Sequence, residues 1–383
     1  MPMAMRVVSI ISRMNIGGPA KLLVDLINHN PDEEIEHILI TGRCESDETD
    51  LLDTCKINSK VFYLNDVRRS IFLFRDIKSF FELCLLLRKL KPDIVHTHLS
   101  KAGFLGRLAT KVASPKAILI HTFHGHLLSG YFNRNILRVV LGVEKFLSSF
   151  TNTLIAVSHD VKERYYSLGI GQNSNWVIIN PGIRISQLIE HNKQKNSNLS
   201  QKVLQIIWIG RFAEIKNPKL AIEVYKLLLS NSEFKFELTM VGDGALLNSC
   251  KKYAQEENLE INFTGWLPDV TEKLFTADIL IFTSENEGFG MVVVEAALSE
   301  ALVVSTQSGG VLDFISNEKT GLLAEANAES FAEAIIGVCE REDKFKEIVL
   351  NARNLAIANF SADSYIERHL NLYRKVILRN SRA

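Results

Sequence analysis

The chain has 383 residues, 46% of them hydrophobic, which is enough for two buried cores and too apolar for an intrinsically disordered protein. Its 44 basic and 44 acidic residues cancel, which argues against a nucleic-acid-binding protein. The five cysteines are odd in number and not at metal-ligand spacing, so we expect free thiols in a reducing compartment. We expect a cytoplasmic protein, because the sequence shows neither a signal peptide nor a run of ~18 apolar residues.

Short apolar runs rich in β-branched residues alternate along the chain with longer helical patterns. The predicted strands are 6–11, 37–41, 94–96, 117–122, 153–157, 204–209, 237–241, 261–264, 279–283 and 301–306. Predicted helices at 19–29, 74–90 and 218–230 fit between them. This alternation predicts an α/β fold with parallel sheets that helices cover on both faces.

A polar stretch near the middle of the chain, EHNKQKNSNLSQK, separates the two halves of this pattern. We therefore predict two Rossmann-like domains, 1–185 and 203–360, joined by a linker at 186–202. The last segment, 361–383, is predicted to form a helix that packs back towards the N-terminal domain. Ligands of such domains bind at the carboxyl ends of the strands.

In the second half, two charged motifs follow predicted strands. Gly210 ends a strand in GRFAEIKNP, and Arg211 and Lys216 follow closely enough to reach one diphosphate. In ENEGFGMVVVE, Glu287 precedes a turn, and Glu295 lies on the helix after it, so one carboxylate could face a sugar and the other a ribose. Taken alone, these four charged residues could equally be solvated surface charges.

In the first half, Gly17 and Gly18 stand between a predicted strand and a helix, without the dinucleotide or P-loop fingerprint. Two groups of histidines end predicted strands: His96 and His98 in VHTH, and His121, His124 and His126 in HTFHGH. They could bind a metal, pack in the core or belong to a site. Zinc has little support, because the pattern brings no cysteine or carboxylate partner.

Ten segments, taken in order, resemble glycosyltransferase family 4. They are RMNIGGPAKLLVDL, PDIVHTHLSKAGFLGRLA, HTFHGHLLSGYF, AVSHDVKERYYSLGI, VIINPGI, GRFAEIKNP, VGDG, GWLPDV, SENEGFGMVVVEA and SGGVLDFI…TGLLAE. The resemblance implies the GT-B fold, in which two doubly wound Rossmann-like domains face each other across a cleft. The chain departs from the family pattern at Glu300 and Leu302, where a Gly and a Pro are usual, and in EGFG, where close relatives have EGTP.

The resemblance also implies a role for each candidate residue. Arg211 and Lys216 would hold the donor diphosphate, Glu295 the ribose, and Glu287 would face the transferred sugar. His124 would contact the sugar and the leaving phosphate. Backbone contacts to the donor would come from Gly17, Gly18, Gly210, Phe289, Gly290 and Met291.

The implied reaction is retaining transfer of a hexose or N-acetylhexosamine, without a metal or other cofactor, because cations and helix N-termini stabilise the departing diphosphate. The expected donor is a UDP-sugar, and the expected acceptor is a glycan or a polyprenyl-linked sugar of surface-polysaccharide synthesis. GDP-mannose remains the alternative donor. A nicotinamide dehydrogenase, a UDP-N-acetylglucosamine 2-epimerase and a non-catalytic nucleotide-sugar-binding protein remain alternative functions.

Residues 67–165 carry 16 basic and only 6 acidic residues, interleaved with large apolar ones. The segments RRSIFLFRDIKSFFELCLLLRKLK and GYFNRNILRVVLGVEKFLSSF show the pattern most clearly. We therefore expect a peripheral protein that rests on the anionic inner face of the plasma membrane. The alternative is ordinary helices with apolar core faces and solvated basic faces.

Overall fold

The computed structural model describes residues 4–45, 48–67, 73–125, 134–184, 199 and 203–380. The chain divides into two compact units, 1–182 with 362–383 and 183–361. The division falls at 182–183 rather than at 185, because the Ile183 N–H donates to the Phe360 carbonyl oxygen at 2.8 Å and joins the second unit. The predicted linker lies outside the described residues except for Leu199.

The first unit is built on a parallel sheet whose central strands are buried on both faces. Its described strands are β1 (Met5–Ile11), β2 (Ile35–Gly42), β3 (Lys60–Leu64), β4 (Ile94–His98), β5 (Ile118–Phe123), β6 (Thr153–Ala156) and β7 (Asn175–Ile178). They lie in the order β3-β2-β1-β4-β5-β6-β7.

The described helices of the first unit are α1 (Gly18–Asn28), α2 (Leu73–Leu90), α3 (Ser100–Ala113), α4 (Arg134–Ser148), α5 (His159–Ser167) and the C-terminal helix (Ala362–Asn380). The C-terminal helix belongs to this unit although the whole second unit precedes it. It inserts Tyr373 and His369 into the core beside β4. Across the part of the chain that the structure describes, no helix has the length and apolar character needed to cross a membrane.

The second unit repeats this plan with β8 (Val203–Ile209), β9 (Lys235–Val241), β10 (Ile261–Gly265), β11 (Ile279–Phe282), β12 (Leu302–Thr306) and β13 (Leu322–Ala324). The strands are parallel and lie in the order β10-β9-β8-β11-β12-β13. The described helices are α6 (Pro218–Asn231), α7 (Leu247–Glu256), α8 (Thr271–Thr276), α9 (Met291–Leu298), α10 (Ala328–Cys339) and α11 (Glu342–Asn359).

The ten predicted strands and the predicted helices are confirmed, with small shifts at their ends. Sequence reasoning missed β3, β7 and β13, and each of these lies at the edge of its sheet. In β3 and β7 almost every residue is partly or fully exposed, so neither reads as a continuous apolar run. β13 has only three residues, too few to show a pattern.

In each sheet the strand order reverses between two central strands, β1 and β4 in the first and β8 and β11 in the second. Open α/β sheets bind ligands outside the carboxyl ends of the strands at such a reversal. The residues that follow these strands carry most of the candidate site: Gly17 and Gly18 after β1, His98 at the end of β4, Gly210 and Arg211 after β8, and Thr283 after β11.

Candidate functional site

In the second unit, β8 ends in a turn that is held by direct backbone packing. The Gly210 N–H donates to the Val241 carbonyl at 3.0 Å, and the Phe212 N–H donates to the Asp243 carbonyl at 2.9 Å. Gly242 has a φ of +135°, and a Cβ there would lie 1.9 Å from the Gly210 carbonyl oxygen. Only glycine fits so close an approach, which explains the first glycine of VGDG. Arg211, the next residue after Gly210, is exposed at the edge of the sheet.

Lys216 ends a short 3-10 turn, Glu214–Lys216, that leads into α6. Asn217 adopts the left-handed conformation with a φ of +45° and caps α6, its side chain accepting a hydrogen bond from the Leu220 N–H at 3.4 Å. Pro218 follows at the first helical position, which suits its fixed φ. The sequence GRFAEIKNP therefore folds into a turn that brings Lys216 to the carboxyl edge of the sheet.

Thr283, just after β11, holds this turn in place through its hydroxyl group. Its Oγ1 accepts a hydrogen bond from the indole N–H of buried Trp208 at 2.9 Å. Its hydroxyl lies 2.8 Å from the Lys216 carbonyl oxygen and 2.9 Å from that of Asn217. Sequence reasoning placed Thr283 only as the last residue of a strand. The signal available was its position, the first polar residue after an apolar strand at the reversal point.

The structure brings Lys216 and Glu287 together in a direct ion pair between Nζ and Oε2. The lysine Nζ also lies 5.5 Å from the centroid of the Phe282 ring. The two side chains are 24% and 21% exposed, so a ligand could reach the pair. Two residues that the sequence assigned separately, one to the diphosphate and one to the sugar, therefore lie in contact.

The loop that carries Glu287 is clamped by the segment after β12. The Gly310 N–H donates to the Glu287 carbonyl at 2.9 Å, and the Ser308 hydroxyl donates to the Ser284 carbonyl at 3.0 Å. Gly309 has a φ of +70°, and a Cβ there would lie 2.5 Å from the Glu287 carbonyl oxygen. Gly309 and Gly310, which lie in the segment SGGVLDFI, therefore fix the position of the Glu287 backbone.

Phe289, Gly290 and Met291 connect this loop to α9. The Phe289 side chain is buried against Phe360 with ring centroids 5.5 Å apart, so only its backbone is available to a ligand. Gly290 has a φ of +85°, which a proline cannot adopt, so EGFG forms a turn that EGTP could not form in this conformation. Glu295 lies half-buried on α9.

Glu300 follows α9 at the position where the family usually has glycine. Its φ is +57°, the left-handed conformation that glycine adopts without cost. The backbone therefore keeps the shape that a glycine would give, and the Arg353 side chain pairs with the Glu300 carboxylate at 3.3 Å.

In the first unit, Gly17 and Gly18 lie between β1 and α1, with Gly17 as the residue before the helix. Gly17 has an extended φ of −176°, and a Cβ there would come no closer than 3.8 Å to the Asn15 carbonyl oxygen. Folding therefore does not require glycine at 17, and the space above its Cα is open.

His96, His98 and His124 form a connected cluster near the carboxyl edge of the first sheet. His96 Nδ1 lies 2.7 Å from the Tyr373 hydroxyl, and its Nε2 lies 2.7 Å from Thr122 Oγ1. His98 Nδ1 lies 3.1 Å from His124 Nε2. His121 is separate from these contacts and instead shares a hydrogen bond with Thr97 Oγ1 at 2.9 Å. His126 lies outside the described residues.

Burial makes this cluster neutral. It lowers the pKa of His96, His98 and His121 well below the usual value, and it lowers the pKa of His124 to about 3. Burial also lowers the pKa of His369, on the C-terminal helix, to about 4. The described residues include no group of three or more His, Cys, Asp or Glu placed to hold a metal ion.

Two models of known protein families match the sequence of this chain. The family model described as Glycosyltransferase Family 4 matches residues 16–187, and the one described as Glycosyl transferases group 1 matches 190–355. Two related bacterial proteins match most of the chain. The UDP-Gal:alpha-D-GlcNAc-diphosphoundecaprenol alpha-1,3-galactosyltransferase of Escherichia coli is 29% identical over 345 residues, 86% of this chain and 87% of its own length. The N,N'-diacetylbacillosaminyl-diphospho-undecaprenol alpha-1,3-N-acetylgalactosaminyltransferase of Campylobacter jejuni is 27% identical, over 83% of this chain and 86% of its own.

Solved structures show the same fold. A glycosyltransferase from Rickettsia africae superposes with a TM-score of 0.79 at 23% identity, covering 98% of this chain and 99% of its own. Anabaena Alr3699/HepE, in complex with UDP and glucose, superposes with a TM-score of 0.76 at 19% identity, over 97% of this chain and 100% of its own. Both units therefore have the architecture of GT-B glycosyltransferases.

Proposed function

Because the chain belongs to glycosyltransferase family 4, we propose that it transfers a hexose or N-acetylhexosamine from a UDP-sugar to a polyprenyl-diphosphate-linked acceptor, with retention of the anomeric configuration. Two relatives that match most of the chain are named for diphosphoundecaprenol acceptors, and one of them for UDP-Gal. The product would be a repeat-unit precursor of a cell-surface polysaccharide.

The Lys216–Glu287 pair is the observation that carries this proposal. A transferase of this kind must bind an anionic diphosphate and a sugar rich in hydroxyl groups side by side. Lys216 offers charge to the diphosphate, and Glu287 offers carboxylate oxygens to sugar hydroxyls. Because the two side chains are in contact, the bond between sugar and phosphate would lie next to both.

The leaving diphosphate would be stabilised by fixed charges and dipoles. Arg211 and Lys216 supply the cations at the end of β8. Backbone N–H groups at the N-terminus of α9, which begins at Met291 after Gly290, would add favourable dipoles for the diphosphate. Glu295, on the same helix, would accept hydrogen bonds from the ribose. Gly17 and Gly18 would allow the backbone to approach the diphosphate.

We propose the following chemical step. The bond between the sugar C1 and the phosphate oxygen breaks, and the acceptor oxygen forms a new bond to C1 on the same face. The acceptor proton passes to the phosphate oxygen that departs, so no protein base is needed. The residues of the chain contribute position and electrostatic stabilisation, which can account for most of an enzymatic rate enhancement.

A lipid-linked acceptor requires contact with a membrane, and the first unit has a surface suited to it. On α2, Phe74, Ile77, Phe81 and Leu85 follow helical spacing and are exposed, Phe74 by 87%. On α4, Ile136, Val139 and Phe146 are exposed as well. Exposed stripes of this kind are better explained by burial in the lipid interface than by solvation, and the basic residues beside them favour anionic headgroups.

The function is tested by a donor screen with an undecaprenyl-diphosphate-linked amino sugar as acceptor. Transfer from one UDP-sugar, with the new linkage keeping the donor anomer by NMR, is the expected result. Preference for GDP-mannose would overturn the donor assignment. Conversion of UDP-N-acetylglucosamine without acceptor would indicate an epimerase, and binding of UDP without turnover would indicate a binding protein.

The membrane surface is tested with the full-length chain and vesicles of phosphatidylglycerol. We expect salt-sensitive co-sedimentation that weakens strongly in the double variant Phe81→Ser, Leu85→Ser. Leu350→Ser is the matched control, because Leu350 is also exposed but lies on α11 of the second unit. If wild-type protein stays in the supernatant at low salt, the membrane proposal is wrong.

A further inference from the structure

His98 and His124 share a hydrogen bond that the proposed chemistry does not use. His98 ends β4 and is 1% exposed, and His124 directly follows the neighbouring strand β5. Their ring nitrogens, Nδ1 of His98 and Nε2 of His124, lie 3.1 Å apart. Two neutral imidazoles at this distance must differ in role, because one ring has to donate and the other has to accept.

The ring of His98 also contacts a second histidine, His96. It packs against His96, with ring centroids 4.1 Å apart and the ring planes tilted by 37°. His96 is itself fixed at both nitrogens, by the Tyr373 hydroxyl and by Thr122 Oγ1. Tyr373 lies on the C-terminal helix, so the last segment of the chain supports the ring that positions His98.

The unpartnered nitrogen of His98 decides the direction of the shared bond. His98 Nε2 is buried and has no hydrogen-bond partner among the described residues. If His124 donated, the proton of His98 would sit on this nitrogen as a buried N–H without an acceptor. Buried orphan donors are rarer than unsatisfied acceptors, so the proton belongs on His98 Nδ1, which donates to His124.

We infer that His98 is a positioning residue that holds His124 in the tautomer with its proton on Nδ1. The inference rests on the proposed function, in which His124 contacts the sugar and the leaving phosphate. In this tautomer the free nitrogen of His124 is a donor, suited to a hydroxyl or phosphate oxygen and unable to act as a base. Burial lowers the pKa of both rings, which keeps them neutral.

The tautomer can be measured directly by NMR on the wild-type chain with ¹⁵N-labelled histidine. The His124 signals are assigned by their loss in His124→Gln. We expect the proton on Nδ1 and a bare Nε2. A His124 with its proton on Nε2 would overturn the inference, whatever the kinetic variants show.

Kinetics supply the second test. His98→Leu removes the donor and should lower kcat/KM for transfer about 10- to 100-fold, the usual cost of losing a group that orients a functional histidine. UDP affinity should stay unchanged. His98→Asn should recover most of the rate, because its amide nitrogen is as many bonds from Cα as histidine Nδ1.

The control is Thr97→Val, which removes a buried hydroxyl from the same strand that bonds His121 and not His124. Wild-type kcat/KM in folded His98→Leu would contradict the inference, and so would an equal loss in Thr97→Val. Full transfer activity in His124→Gln would instead contradict the role proposed for His124, so the two failures are distinguishable.

Discussion

The carboxyl edges of the two sheets are built from opposite kinds of chemistry. In the first sheet, His98 and His124 lie among buried imidazoles whose pKa values burial keeps low. In the second, Lys216 and Glu287 form an ion pair that is partly open to solvent. One edge is therefore neutral and pre-oriented by hydrogen bonds, and the other carries fixed charge.

In the proposed function, each kind of edge would suit a different end of a glycosyl donor. As the bond to phosphate breaks, negative charge develops on the diphosphate and positive charge on the sugar ring. A cationic edge stabilises the first, while an imidazolium beside the sugar would oppose the second. In the proposed function, a neutral His124 imidazole would orient a sugar oxygen without adding that repulsion, which fits the lowered pKa of His124.

The largest expected effect comes from removing charge from the second edge. Arg211→Ala and Lys216→Ala should each lower turnover at least ~100-fold, the cost of losing one preorganised group that stabilises transition-state charge. Lys219→Ala is the matched control, because that lysine lies on α6 nearby, is 60% exposed and pairs only weakly with Glu223. Near-wild-type steady-state rates in folded Arg211→Ala or Lys216→Ala protein would show that the diphosphate is bound elsewhere.

A smaller loss should follow when the support of Lys216 is removed but its charge is kept. Thr283→Val leaves the buried Trp208 N–H without its acceptor, a change worth about 1–3 kcal/mol, and frees the turn that carries Lys216. We expect about a tenfold loss in kcat/KM for the donor, measured together with the urea midpoint. Thr283→Ser keeps the hydroxyl and should restore the rate; if it does not, packing rather than hydrogen bonding matters at this position.

The two edges also differ in how far the sequence alone reveals them. Arg211, Lys216, Glu287 and Glu295 stand in two contiguous motifs, so the sequence could single them out as candidates before any contact was known, and their roles stay predictions. Their direct pairing could not, because it depends on how Thr283 and the glycines after β12 set two loops against each other.

The neutral edge was far less predictable. Tyr373 lies 277 residues from His96, and no spacing rule connects them. The histidines of VHTH and HTFHGH could be seen in the sequence, but their partners come from β5 and from the C-terminal helix. The same limit applies to β3, β7 and β13, whose place is set by neighbouring strands rather than by their own apolar pattern.

Acid should destabilise the first unit in a way that the histidine cluster explains. Burial lowers the folded-state pKa of His369 to about 4, whereas the unfolded chain titrates near ~6.5. Below that value only the unfolded state gains the proton, so stability is full above pH ~6.5 and falls as pH drops towards ~4. Each such histidine contributes a slope of up to about 1.4 kcal/mol per pH unit.

The slope is measured by urea unfolding at several pH values, following Trp176 fluorescence in a Trp208→Phe, Trp266→Phe background, so that only the first unit reports. His369→Gln should reduce the slope of unfolding free energy against pH by an amount that corresponds to at most one proton. His159→Gln, on the exposed surface of the same unit, serves as the control. An unchanged slope in His369→Gln would mean that other groups cause the acid loss.

The smallest expected effect concerns metal removal. Enzymes that depend on a divalent ion use its charge to stabilise the leaving diphosphate. In the proposed function Arg211 and Lys216 would take that role, and the N-terminal dipole of α9 would add to it. We therefore expect transfer to proceed at an unchanged rate in EDTA, with added Mg²⁺ or Mn²⁺ making no difference beyond ionic strength.

The informative comparison is with Lys216→Ala. If charge alone is what the lysine supplies, added Mn²⁺ should partly recover that variant while leaving wild type unaffected. Complete loss of wild-type transfer in EDTA, restored by Mn²⁺, would contradict the prediction and would mean that the cations of the second edge do not suffice for the leaving group.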